Sequence, residues 1–351
     1  MKRIKQFWAI ALLGFLVTGS GLTAQEPPEI PVTPPVSTPA PAPAAPALEL
    51  DPDLQRIIDM DNEAQAQADI WIRENEELNK EKTFQDDTLP MRIRDRLDSV
   101  EKAYQDYLFS HSESMEARLA YASFLMDTGQ DNEAAREWLR LKETHPGHPV
   151  LLNNLGNYFA QKGDAPEAFP YYEEAMASAP REALYVKNLA SVVYVFREEA
   201  MAYYRLKPQQ ALLLAQALYR KALLLKPDDF IARTALAQTW YYLTPFDPEK
   251  ALADWKKAYE LASDDSERQG ILLHYARVAI LSEKFDEAEK QLEEITYARH
   301  QELKKTLLNN LNERRKLAQE KSASDSPAPS EAKPEPAASA EPAPRPTTPS
   351  P

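Results

Sequence analysis

"NNLGNYFAQKGDAPEAFPYYEEAMASAP", residues 153–180, reads as two short amphipathic helices punctuated by small residues at Gly156, Gly163, Ala168, Ala175 and Pro180. Two antiparallel helices approach closely only where small side chains face the crossing, with larger ones filling the grooves beside it. Gly156 on the first helix and Ala168 on the second are the expected contact. Ala175 leaves room for the next unit, Gly163 supplies the turn, and Pro180 stops the second helix.

The same pattern recurs along the chain. A shift of 34 residues pairs Gly163 with Gly129, Ala168 with Ala134, Tyr172 with Trp138 and Pro180 with Pro146. Further on it returns as Ala215, Tyr219, Ala222 and Pro227, then as Ala251, Trp255 and Ala258, and last as Ala288, Leu292 and Ile295. The small position of the first helix reads Ala122, Gly156, Ala190, Ala237 and Ala276. Unrelated amphipathic helices would show the apolar period without this shared offset.

Leu152, Leu155, Gly156, Phe159, Ala168, Tyr172, Ala175 and Pro180 match the eight signature positions of the tetratricopeptide repeat, and the chain resembles that family. The resemblance covers five repeats within residues 115–296, about half the chain. It implies an all-α, right-handed α-solenoid of helical hairpins, in a family that mostly builds binding scaffolds for unrelated partners. Two intervals depart from the repeat. Ala190 to Ala237 is 47 residues, which places a 13-residue insertion near 195–210 and predicts lengthened helices in a projecting hairpin. Ala215 to Ala251 is 36 residues, and "TPFDPE" (244–249) absorbs the excess as a wider turn.

The flanks complete the domain plan. Residues 51–114 predict N-terminal helices, with a start at Asp51-Pro52 and a second helix from Met91 to Phe109 that could be half of a degenerate repeat. Residues 297–321 predict a capping helix through Leu303, Leu307, Leu308 and Leu311, continuous with the last repeat because neither Gly nor Pro interrupts it. Residues 25–50 and 322–351 carry nine prolines each among Ala, Ser, Thr and Glu, a composition expected to stay disordered.

Residues 1–24 carry Lys2, Arg3 and Lys5, an apolar run from Phe7 to Val17, and small and polar residues up to Ala24, the order of a secretory signal peptide. The run is shorter than the roughly 20 residues of a membrane helix, so no span is expected after cleavage. An uncleaved anchor is the alternative. With no cysteine and no Asn-x-Ser/Thr acceptor, a bacterial periplasm or a secreted location is expected. Cleavage would take the net charge from −14 to −17, which disfavours nucleic acid and anionic lipid as partners.

No catalytic set, cofactor or metal site is expected. His145 and His148 form an H-x-x-H in an inter-repeat turn without further ligands, His274 reads as a packing residue, and "DTGQDNE" (127–133) already spends Gly129 on a helix turn. What the repeats offer is a concave face formed by the first helix of each pair. Candidate binding residues there are Asn153, Asn157, Lys187, Ser191, Tyr194, Gln238, Tyr241 and Arg277, with Asn188 at the edge. Asn amides serve both the N–H and the C=O of an extended peptide. The resemblance implies such a role for Asn157 and Asn188, while Asn153, Ile231 and Ala235 replace the basic residues of the chaperone-binding carboxylate clamp. The expected partner is therefore a protein or extended peptide. Self-association as a structural component of the cell envelope is the alternative.

Overall fold

The computed structural model describes residues 50–80 and 87–324, which form fourteen α-helices and two short 3-10 turns, with no strand among the described residues. The expected signal peptide and nearly all of both Pro-rich ends lie outside the described residues. The chain divides into two compact units, one through Ile271 and one from Leu272 onward.

The first unit is a row of helical hairpins: α1 (Pro52–Lys80) with α2 (Leu89–Ser110), α3 (Met115–Asp127) with α4 (Asp131–Thr144), and α5 (Pro149–Gln161) with α6 (Ala165–Ser178). α7 (Ala183–Val195) then pairs with α9 (Pro208–Leu225), after a short α8 (Arg197–Tyr204), and α10 (Phe230–Thr239) pairs with α11 (Pro248–Leu261). The starts follow the residues that satisfy free helix N–H groups. Asp51 Oδ1 accepts from the N–H of Asp53 at 2.7 Å, Asp164 caps α6, Asp229 caps α10 and Asp247 caps α11. Gly129 and Gly163 hold φ of +86° and +81°, the left-handed turn that closes α3 and α5. The repeating aromatic of the second helix, as Trp138, Tyr172, Tyr219 and Trp255, is at most 2% exposed in each hairpin. Burial of each such ring contributes about 3 kcal/mol.

At Gly156 a Cβ would stand 2.9 Å from the Tyr172 ring, so the glycine admits that ring into the helix crossing. The 195–210 insertion differs from a projecting hairpin. α7 ends at Val195, and α8 folds back so that Ala200 is fully buried and Tyr203 and Tyr204 pack on Phe169 of α6 at centroid distances of 5.0 and 5.4 Å. Arg205 at φ +56° then turns the chain into α9. The burial of Ala200 and the contact of both tyrosine rings with Phe169, itself fully buried, make docking more favourable than projection into water.

α12 (Asp265–Leu281) crosses the boundary between the units and is followed by α13 (Phe285–Glu293) and α14 (Gln301–Ser324). The second unit packs Leu273, Ala276, Ala279 and Ile280 against Ala288, Leu292 and Ile295, with Leu307 and Leu311 of α14 completing the core. Glu283, at φ +59°, holds the turn position that glycine takes in the earlier hairpins. The expected continuity with the capping helix is not what forms. α13 stops at Glu293, and a 3-10 turn at Ala298–His300 precedes α14. The break lets Ile295 enter the core at 2% exposure, while Lys304 Nζ donates to the freed Ile295 carbonyl at 3.0 Å.

Candidate functional site: a polar groove at α5 and α7

The first helices of two neighbouring hairpins, α5 and α7, line a groove of about 230 Å³. Five of the nine sequence-predicted residues come together there: Asn153, Asn157, Lys187, Asn188 and Ser191. Tyr172, Leu184, Val192 and Ile231 complete much of the lining.

Asn153 and Asn188 are 5% and 8% exposed, and Asn188 Nδ2 donates to Asn153 Oδ1 at 2.8 Å. This bond spends half of each amide. Asn153 Nδ2 and Asn188 Oδ1 have no partner among the described residues. Exchanging N and O in both amides leaves the same result, one free NH2 group and one free carbonyl. The groove therefore presents a donor and an acceptor side by side, as a peptide group does. Asn157 adds a donor, because its Oδ1 accepts from Tyr172 Oη at 2.8 Å and its NH2 stays free. Burial of the Tyr172 ring raises its phenol pKa, which keeps it a proton donor through the physiological range.

The cation of the groove is already matched. Lys187 Nζ lies 2.7 Å from Asp229 Oδ2, with side chains 15% and 10% exposed. Burial pushes the Asp229 carboxyl up, but hydrogen bonds from Lys187 and the Ala232 N–H, with the lysine charge, outweigh it and hold the group below its ordinary range. Asp229 is thus anchored at the start of α10 and neutralises Lys187, whose two remaining N–H bonds stay available. Ser191 has no such surplus, since its hydroxyl donates to the Lys187 carbonyl at 2.8 Å and accepts from Tyr219 at 2.9 Å.

The other candidates lie elsewhere. Tyr194 is buried, edge-on to Tyr242 at 6.0 Å, with Arg197 stacked on both rings. Gln238 is 9% exposed and outside the groove lining. Tyr241 is half-buried against Phe246 and Trp255. Arg277 belongs to the second unit. Sequence reasoning missed Asp229, Tyr172 and Leu184 as groove residues and met Ile231 only as a departure from the carboxylate clamp; the available signal was an Asp in the capping position directly before α10.

Elsewhere, His145 accepts or donates locally to Thr144 at 2.8 Å in the α4–α5 turn, and the N–H of Gln130 bonds back to Leu125 across Gly129 as a helix C-terminus should. Among the described residues no group of three or more His, Asp or Glu is placed to hold a metal ion, and no helix is long and apolar enough to cross a membrane.

No family model matches the sequence, and no curated protein matches it. Solved structures similar to it include PilF of Pseudomonas aeruginosa, at 16% identity, 74% of this chain, 99% of that chain and a TM-score of 0.47. YrrB, a TPR protein with an unusual peptide-binding site, is similar at 16% identity, 55% of this chain, 90% of that chain and a TM-score of 0.44. A thermophilic TPR protein of Thermus thermophilus is similar at 20% identity, 55% of this chain, 95% of that chain and a TM-score of 0.40. With identities this low, the nature of the repeats rests on this chain's own hairpins. Their small-residue register, their left-handed turns and the Tyr172 ring seated over Gly156 make this an all-α array of helical hairpins of the tetratricopeptide type.

Proposed function

We propose that the protein is an extracytoplasmic interaction scaffold that takes an extended segment of a partner protein into the groove at α5 and α7. The observation that carries this reading is the half-spent Asn153–Asn188 pair. Asn153 Nδ2 and Asn188 Oδ1 open on the groove and not on sealed interior, so a bound peptide group would replace the water there with a matched acceptor and donor. Beside the pair, Leu184 and Ile231 are 43% and 52% exposed and offer apolar seats for side chains of the segment. Because Asp229 neutralises Lys187, the groove favours the interior of a peptide over its terminal carboxylate. The net charge of −14 supports a protein partner over nucleic acid or anionic lipid. Action outside the cytoplasm is supported by the charged, apolar, small-residue order of residues 1–24.

The test is panning of phage-displayed random peptides on the full chain, followed by affinity measurement on an Asn153→Ala/Asn188→Ala variant that keeps its circular dichroism. The expected result is enrichment of extended sequences that lose about tenfold or more on the variant, the equivalent of one lost hydrogen-bonded pair. Equal affinity for both proteins would move the site off the groove.

A further inference from the structure

We propose that the groove is filled in cis by this chain's own N-terminal Pro-rich segment, residues 27–48, which a partner must displace to bind. The proposal rests on the groove reading above and adds its regulation.

Hydrogen-bond stoichiometry selects the occupant. The unspent groups of the groove are the NH2 of Asn153, the second N–H of Asn188, the NH2 of Asn157 and two N–H bonds of Lys187, against one free carbonyl on Asn188. Donors are in clear surplus. An ordinary peptide brings N–H and C=O groups in equal number, so beyond the one N–H that the Asn188 carbonyl takes, its N–H groups find no acceptor in the groove and must stay turned to water. Residues 27–46 include nine prolines, none of which has an N–H, so the segment is rich in acceptors and poor in donors. Each proline also fixes φ in the extended region, which lowers the ordering entropy lost on binding.

The apolar and charge patterns agree. Ile30, Val32 and Val36 can fill the seats beside Leu184, Val192 and Ile231. Residues 30–48 carry no charge, so the acidic chain does not repel them. Residues 325–351 are equally proline-rich but contain no Ile, Leu, Val, Met or aromatic residue, and they join the other unit. That contrast assigns the groove to the N-terminal segment.

The segment also reaches. Leu54, in the first turn of α1, shares one buried core with Tyr107 of α2, Ala117 in the first turn of α3 and Leu151 in the first turn of α5. The start of α1 thus lies at the end of the hairpin row from which α3 and α5 rise. Three hairpin steps of about 10 Å separate α1 from α7. The 14–20 residues between Leu50 and the Val36–Ile30 stretch span about 45–60 Å in extended form at about 3.1 Å per residue. Tethering gives an effective concentration in the mM range, enough to occupy a groove of modest affinity and to set the threshold for an outside partner.

The test places a photo-reactive benzophenone residue at the exposed groove position Ile231 (Ile231→benzoylphenylalanine) in the full chain, and maps the adducts by mass spectrometry. The expected result is an adduct to residues 27–48 whose yield is unchanged on dilution and lost in an Ile30→Asp/Val32→Asp/Val36→Asp variant, which alters nothing in the helical units. A yield that falls on dilution would assign the groove to the segment of a second copy and overturn occupancy in cis. Labelling of position 231 by an added synthetic peptide of residues 27–46, without the internal adduct, would overturn the proposal and leave the groove reading standing. If neither that peptide nor phage-selected peptides label position 231, both readings fall.

Discussion

The groove at α5 and α7 and the aromatic cluster where α7 meets α8 contain the kinds of residue that make interfaces, yet the structure uses them differently. In the cluster, Tyr194, Tyr242 and Arg197 satisfy one another, and the Arg197 guanidinium also donates to the Tyr194 carbonyl at 2.8 Å. In the groove, Asn153, Asn157, Asn188 and Lys187 each keep unspent hydrogen-bonding groups. Residue type does not distinguish a binding surface from a structural one here. Unspent capacity does. The sharpest test of that contrast is Tyr194→Ala. Removing a ring that is 6% exposed is expected to destabilise the fold by about 3–5 kcal/mol, read from urea unfolding. Peptide affinity measured on the fraction still folded should be unchanged. A small stability change with lost affinity would put the cluster, and not the groove, at the centre of recognition.

Acid separates the groove from the second unit. His274 is 8% exposed, and burial, with the charges of Arg277 and His300, depresses its imidazole to about 3. The fold prefers the neutral ring, whereas the unfolded chain takes up a proton near pH 6.5. The stability this ring allows is therefore complete above pH 6.5 and is lost as pH falls towards 3, with a loss of about 2 kcal/mol at pH 5. Urea midpoints at pH 7 and pH 5 check this, and a His274→Leu variant should lose less over the same interval. In the groove, Asp229 has its pKa depressed, so its contribution is present above its unfolded value and is lost only as pH falls through the lower folded one. Affinity should therefore stay flat between pH 5 and 8.

Behind the groove, Gly156→Ala probes the ring that positions Asn157. The added methyl meets Tyr172 at 2.9 Å, an overpacking cost of about 1–3 kcal/mol, while alanine gains about 1 kcal/mol in helix propensity. A net loss of about 1 kcal/mol is expected. In a Tyr172→Leu background the ring is gone, and the same substitution should turn stabilising. A stabilising Gly156→Ala in the native background would show that the ring is free to yield, and that Asn157 is not held by it.

Much of this was legible in the sequence because repeats average out local noise. The shared offset of Ala122, Gly156, Ala190, Ala237 and Ala276 places five first helices, and with them the face that carries Asn153, Asn157 and Lys187. What the sequence could not show is where hydrogen bonds are spent. Asn188 and Asn153 stand 35 residues apart and Lys187 and Asp229 stand 42 apart, so both pairs depend on how successive hairpins stack. Ser191 reads like Asn157 in the repeat, but Tyr219 and a backbone carbonyl consume its hydroxyl. Counting places the insertion, yet its docking on Phe169 follows from tertiary contacts that no period encodes. The break after Glu293 likewise has no Gly or Pro to mark it, because it is driven by the burial of Ile295.

The smallest net change in stability is expected of a double variant, Asn153→Ala/Asn188→Ala, and it bears most on function. Asn153→Ala alone leaves Asn188 with a buried, unmatched amide and should cost about 1–3 kcal/mol. Adding Asn188→Ala removes the stranded group, so the double variant should return to within about 1 kcal/mol of the native chain, a double-mutant cycle readable by urea unfolding. Peptide affinity should move the opposite way, since each substitution takes away one of the two groups offered to a bound backbone. A variant that regains stability but not affinity would show that the amides are held in the fold for a ligand. If affinity returned together with stability, the pair would be only a strut between α5 and α7, and the groove would be no different in kind from the aromatic cluster.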